Sequence, residues 1–165
     1  MGDQQPHASE VTTLDKALGA YLISSDRARL DLDAIHTYLS EQSYWARGRT
    51  RDQIARGVEN SLPFGLYRNG AQVGFARVVS DWATFGWLAD VYVLPRERGH
   101  GLGKALVEAA LGHPHVRDLP RVMLATADAH GLYERYGFGP LERPERFMAI
   151  ESPVSREAGL DGTEC

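Results

Sequence analysis

A chain of 165 residues fits one domain and is long enough to bury a working hydrophobic core. Its apolar share of 43% and charged share of 24% are those of an ordinary globular protein. A formal net charge of −4 gives no general attraction for nucleic acid or an anionic membrane, so neither is expected as a partner.

The single cysteine, Cys165, excludes an internal disulfide framework or a cysteine zinc cluster, and no metal is expected. The opening MGDQQPHASE is polar and lacks the apolar stretch of a secretory signal. No window approaches the roughly 18 consecutive apolar residues of a membrane-spanning helix. A cytoplasmic protein is the expectation.

Residues 1–17 and 152–165 are polar and aperiodic and read as tails around one domain over 18–151. Tyr21–Ser24 reads as a short strand. Leu32, Ile35 and Leu39 recur at helical spacing behind Asp31, a suitable N-cap. Thr50 and Gln53 have capping-box spacing for a second helix running toward Asn60. Phe64–Tyr67 and Gln72–Val79 flank an Asn69-Gly70 turn and predict a hairpin. Trp87–Leu94 is a mostly apolar run ending at Pro95, as expected of a strand buried on both faces.

Leu102, Ala105, Leu106, Ala109 and Ala110 fit one face of a helix, and Arg121–Thr126 reads as the strand after it. Strand, helix, strand in that order implies a parallel pair joined by a right-handed crossover. A last helix carries Ala129, Leu132, Tyr133 and Tyr136 on one stripe and stops at Gly137. Arg146–Ile150 reads as a final strand. The predicted fold is a single α/β domain whose central sheet is mixed but mostly antiparallel, with helices flanking it.

The most informative segment is Val91-Tyr92-Val93-Leu94-Pro95-Arg96-Glu97-Arg98-Gly99-His100-Gly101-Leu102-Gly103-Lys104. A buried strand runs into a glycine-rich turn, and a helix begins directly after it. The opening amides of that helix have no internal partners, and the positive end of its dipole stands behind them, which suits a diphosphate. Arg98 and Lys104 add positive charge. A Walker loop fails because Arg98 and Ala105 stand where Gly and Ser or Thr are required. A dinucleotide fingerprint fails because Lys104 and Leu106 stand where its last glycine belongs. The alternative is a glycine-rich turn that merely starts a helix.

Arg98-Gly99-His100-Gly101-Leu102-Gly103 matches Arg-x-x-Gly-x-Gly and resembles the acetyl-coenzyme A signature of the GNAT superfamily of N-acetyltransferases. Ala129-His130-Gly131-Leu132-Tyr133-Glu134-Arg135-Tyr136-Gly137-Phe138 is similar to that family's late helix, which carries a tyrosine five residues before the Phe of a terminal Gly-Phe pair. The order of elements from Tyr21 to Ile150 agrees as well.

The resemblance implies acetyl-coenzyme A as cosubstrate, its diphosphate held by the backbone amides of 98–104. The pantetheine arm is then expected in a slot beside the strand, against Val91 and Val93. Thr126 stands where many relatives place a cofactor-binding Asn, so a hydroxyl replaces a carboxamide there. Tyr133 matches the usual general acid, since a phenol is protonated at neutral pH; its other reading is core packing beside Leu132 and Tyr136. A backbone amide near Val93 is the implied oxyanion donor.

The general base is left unassigned. Asp90 is a lone charge in an apolar strand, and Arg77 on the preceding strand is placed to pair with it. His130 carries an imidazole, which titrates nearest neutrality, but lies about 100° per residue further back around the helix. Tyr44, Trp45, Arg47 and Arg49 join the first two helices, where relatives often border the acceptor. Two guanidinium groups among aromatics suit an acceptor with a carboxylate or phosphate near its amine; otherwise the aromatics close the core and the arginines are solvated. Trp82, Phe85 and Trp87 either line the other side of that pocket or anchor a strand connection.

The expected activity is transfer of acetyl to a primary amine of a small molecule or peptide, in a monomer or homodimer. The alternatives are a non-catalytic coenzyme A-binding module and an acyltransferase with another acyl donor.

Overall fold

The computed structural model describes residues 12–152, and within them six strands form one sheet in the order of the chain. These are β1 (Asp15–Leu18), β2 (Tyr21–Ser24), β3 (Leu62–Arg68), β4 (Ala71–Ser80), β5 (Gly86–Val93) and β6 (Val122–Met123). Four neighbouring pairs are antiparallel, and β5 with β6 is parallel. Helices α1 (Leu32–Thr37) and α2 (Arg51–Glu59) precede β3, α3 (Leu102–Gly112) joins β5 to β6, and α4 (His130–Glu134) follows β6. The mixed, mostly antiparallel sheet is the one expected. Among the described residues no helix is long and apolar enough to cross a membrane.

Local signals placed most of these elements. Asp31 caps α1 by accepting from the amides of Asp33 and Ala34, and Thr50 and Gln53 complete both halves of a capping box on α2. The β3–β4 turn takes positive φ at Asn69 (50°) and Gly70 (80°), the geometry that an Asn-Gly pair tolerates.

Two apolar clusters cover the two faces of the sheet. On one face α3 buries Leu102, Leu106 and Val107 against Phe64, Leu66, Val78 and Leu88; full burial of each large side chain contributes about 1.5–3 kcal/mol. On the other face α1, the π-helical turn Tyr38–Gln42 and α2 pack Ile35, Leu39, Ile54 and Val58 on Phe75 and Tyr92.

Three expectations need correction. The sheet begins at Asp15, inside the segment read as a tail, because DKAL alternates only between exposed and half-buried and shows no apolar pattern. The strand expected over Arg121–Thr126 is confined to Val122–Met123. No strand forms over Arg146–Ile150: a 3₁₀ turn at Pro144–Arg146 leads into chain with no sheet partner, and the Met148 and Ile150 side chains are fully exposed. The remainder of both expected tails, residues 1–11 and 153–165 with Cys165, lies outside the described residues.

Candidate active site

The parallel pair is short. Only Gly86↔Val122 and Trp87↔Met123 are paired, so the edge of β5 from Leu88 to Val93 has no strand beside it. The Leu94 amide donates to the Val73 carbonyl at 2.8 Å, toward β4. Strand alternation therefore turns the Val93 amide to the open side. On that side the Val93 carbonyl is occupied by Arg98 Nε at 3.0 Å. A slot bordered by one unpaired strand edge is the result.

At the end of this edge the chain turns into α3. Gly99 and Gly101 have φ of +86° and +72°, conformations that cost an L side chain roughly 1–2 kcal/mol. A Cβ added at Gly99, Gly101 or Gly103 would meet no protein atom within 4 Å. Gly101 is the N-cap of α3 and has no side chain to cap it with, so the first amides of the helix are left for a ligand. Val93, Arg98, the three glycines and Lys104 line one surface cavity of about 300 Å³, closed on its other side by Leu132 of α4. The residues present fit a diphosphate: positive charge, exposed amides and room where side chains would otherwise stand.

The turn is braced from below. Glu97 is buried and accepts from Tyr21 Oη at 2.7 Å and Arg68 Nη1 at 3.0 Å. The Tyr21 hydrogen bond, followed by the Arg68 charge, holds the Glu97 carboxyl below its ordinary range despite its burial. Arg98 also donates from Nη2 to Tyr38 Oη at 3.0 Å, so its guanidinium ties the cradle to the α1 side as well as adding charge. His100 is exposed, with Nδ1 3.1 Å from the Glu97 carbonyl oxygen.

The other cofactor candidates fall unevenly. Val91 is half-buried on β5 and packs on the α3 face. The Thr126 hydroxyl accepts from the Ala129 amide at 3.0 Å, holding the turn into α4, and is not part of the cavity wall. Tyr133 is 8% exposed and packs edge-on against Phe138, with ring centroids 5.9 Å apart. Its neighbour Leu132, which sequence reasoning treated only as core, is the α4 residue that reaches the cavity. His130 opens α4 in an exposed position.

A second cavity of about 260 Å³ lies on the opposite face, between α2 and the β4–β5 ladder. It is built on a bulge. Phe75 pairs Tyr92 and Arg77 pairs Ala89, so Asp90 and Val91 face Ala76 alone. Asp90 takes a left-handed φ of +54°, a strain that Asp bears better than most residues.

Its side chain is 4% exposed and accepts from Arg77 Nε at 2.6 Å, Arg49 Nη1 at 3.0 Å and Trp45 Nε1 at 3.2 Å. Burial alone would raise the carboxyl, but the Arg77 and Arg49 charges, with the Arg77 and Trp45 hydrogen bonds, outweigh it and hold the group below its ordinary range. A carboxylate so saturated is a poor proton acceptor. Pairing with Arg77 was foreseen; the convergence of Trp45 and Arg49 from a distant loop was not.

Tyr44 turns the other way, edge-on to Trp45 and bonded through Oη to Asp128 at 3.1 Å. Arg47 is exposed and reaches neither cavity. Trp82 and Phe85 are exposed in a turn organised by Asp81, with Trp82 edge-on to His115. They, like Trp87, line neither of these two cavities. Among the described residues no group of three or more His, Cys, Asp or Glu is arranged to hold a metal.

A family model for the acetyltransferase (GNAT) family matches residues 32–138. The chain belongs to the GNAT acetyltransferase family. It is 38% identical over 138 residues to a candidate acetyltransferase of Gibberella zeae, covering 70% of this chain and 76% of that one. A crystal structure of a candidate GNAT acetyltransferase from Xanthomonas campestris shares 44% identity and superposes with a TM-score of 0.79, covering 83% of this chain and 96% of the other. A Mycobacterium tuberculosis protein solved in complex with CoA has the same fold at 22% identity, with a TM-score of 0.62 over 83% of this chain and 80% of that one. Members of this family use acetyl-CoA as acetyl donor.

Proposed function

We propose that this protein is an N-acetyltransferase that passes acetyl from acetyl-CoA to a primary amine by direct transfer within a ternary complex. The observation that carries this reading is the cradle at the start of α3, set at the end of an unpaired β5 edge whose Val93 amide faces the slot.

Acetyl-CoA supplies an activated acetyl thioester. The amides opening α3, with Lys104 and the side chain of Arg98, hold its diphosphate. The Val93 N–H is the backbone donor available to the acyl oxygen. Tyr133, which the resemblance matches to the family's general acid, delivers the phenolic proton from Oη to the CoA thiolate as the C–S bond breaks. The proton lost by the attacking amine passes to solvent, which restores the phenol. Support comes from the likeness of 129–138 to the family's late helix. The acceptor approaches from the α2 face, where the second cavity shares β5 with the first. Asp90 and Val93 lie three residues apart on that strand, about 10 Å along it. Holding both reactants on one rigid strand supplies acceleration through proximity.

The test is isothermal titration with acetyl-CoA and with CoA, followed by thiol release with an amine panel. Micromolar binding and amine-dependent release are expected. Absence of binding at high concentration returns the glycine turn to plain architecture. Tyr133→Phe separates catalysis from binding: acetyl-CoA affinity is expected to persist while thiol release falls about 100-fold or more. Unchanged release in a folded variant removes Tyr133 from the mechanism.

A further inference from the structure

The cavity against α2 has an unusual polar balance. Its one anionic group, Asp90, is already saturated by Trp45, Arg49 and Arg77. What remains unused among the described residues is all donor. Arg49 spends only Nη1, which leaves Nε and Nη2, the two adjacent donors of its fork, without a hydrogen-bond partner. Arg77 spends Nε on Asp90 and Nη1 on the Gly57 carbonyl at 3.4 Å, leaving Nη2. The Gln53 carboxamide oxygen is committed to the Thr50 amide at 2.8 Å, so its NH₂ group is the part left to offer.

Charge tells the same story. Two guanidinium groups face one carboxylate, a local balance of +1, and their side chains are only 32% and 16% exposed. Unmet positive charge in a partly closed site is costly until an anion completes it. The rest of the wall is apolar, formed by Leu39, Ile54, Val58 and Phe75.

Resting on the acetyltransferase reading for its catalytic meaning, we infer that this cavity is the acceptor pocket and that it selects an amine carrying a carboxylate and a compact apolar body. The carboxylate lies on the Nε–Nη2 edge of Arg49, the pairing in which a guanidinium meets a carboxylate with two parallel hydrogen bonds. Arg77 Nη2 and Gln53 add donors around it. Asp90 positions the two arginines and touches neither the acceptor's carboxylate nor its proton. At about 260 Å³ the cavity takes a small molecule, slightly under the usual size for drug-like ligands.

The test reads binding and turnover separately. The Trp45 indole N–H, bonded to Asp90, is the reporter resonance. 4-Methylpentanoate is expected to shift it with an affinity at least tenfold above that of 4-methylpentanamide, and Arg49→Gln is expected to erase the difference. Arg49 is partly exposed and Arg77 continues to neutralise Asp90, so this variant should fold. In thiol release, L-leucine should exceed leucinamide and 3-methylbutylamine at least tenfold in kcat/KM.

Equal shifts with acid and amide would overturn the inference, as would discrimination that survives Arg49→Gln, or tighter binding of 3-methylbutyl phosphate than of the carboxylate. Should acetyl-CoA fail to bind, the acetyltransferase reading falls, and the indole titration still decides the carboxylate pocket on its own.

Discussion

The cradle and the α2 cavity sit on opposite faces of one sheet and are made of different material. The cradle is backbone: glycines in left-handed conformations, amides at a helix start and one unpaired strand edge. The cavity is side chain: Trp45 and Arg49 from a loop, Arg77 from β4 and Asp90 from a bulge in β5. A backbone site depends on conformation, which few residue types can supply. A side-chain site depends on charge balance among groups far apart in sequence. Replacing a conformation-bearing glycine of the cradle should therefore fail in cofactor binding, whereas removing the carboxylate that balances the side-chain site should fail in stability.

The largest expected effect is on the side-chain site. Asp90→Asn keeps a residue at ease with positive φ but removes the only counter-charge that the two guanidinium groups have among the described residues. Breaking a buried ion pair from one side costs about 3–5 kcal/mol, or roughly 6–20 °C in Tm at this chain length. The sign with pH is defined as well. Because the folded carboxyl lies below its ordinary value of 3.8, the Asp90 contribution is complete above that value and is lost as pH falls below it. Thermal scans from pH 2 to 7 should show a shallower acid limb in the variant. A variant as stable as the parent would mean that the cluster does not hold the bulge.

The reverse pattern is expected at the cradle. Gly101→Val places a β-branched residue at φ +72° and a side chain into the cavity. Its stability cost should stay near 1–2 kcal/mol, while affinity for acetyl-CoA falls about 100-fold by titration. Intact affinity in the folded variant would move the diphosphate elsewhere.

This difference in material also explains what the sequence revealed. The capping box at Thr50 and Gln53, the Asn69-Gly70 turn, the α3 stripe and the glycine cradle are all local patterns, and each appears where its residues predict it. Gly137 takes the expected left-handed φ of +87°, but α4 ends earlier than expected, at Glu134, and Tyr136 lies in the turn after it. Strand β1 was missed because it is held by backbone pairing and by polar links, Ser24 to Asp15 and the Leu14 amide to Ser25 Oγ, rather than by apolar alternation. The strand expected at Arg146–Ile150 has the composition but pairs with no other segment, even though the sheet keeps free edges, and pairing is a property of two segments.

At the candidate site, Arg98, Gly99 and 101–104 are contiguous in sequence and line one cavity, without His100, whereas Leu132 as cavity wall is hidden in a core stripe. Arg47 and Arg49 were indistinguishable in sequence. Only the fold shows that one meets Asp90 and the other faces solvent.

The smallest expected effect asks whether the cradle face has a weakness of its own. Helix α3 starts at the cradle and ends beside His113, which is fully buried and edge-on to Phe64. His113 Nδ1 accepts from the His115 amide at 3.2 Å, so the proton resides on Nε2, which donates to the Thr12 carbonyl at 2.9 Å. Both ring nitrogens are used by the neutral form, and a second proton would break the bond at Nδ1. Burial pushes the folded pKa below its ordinary 6.5, the His115 charge adds to this, and the Thr12 carbonyl opposes it only in part. A depressed imidazole contributes stability that is complete above 6.5 and is lost as pH falls below it. Tm should therefore drop by a few degrees between pH 7.5 and pH 5.5, well above the range in which Asp90 titrates. His113→Gln keeps a donor near Thr12 without a titrating group and should flatten that interval while leaving the acid limb below pH 4 unchanged. If the slope between pH 5.5 and 7.5 survives this substitution, the sensitivity belongs to another histidine, and the two faces of the sheet do not separate by pH.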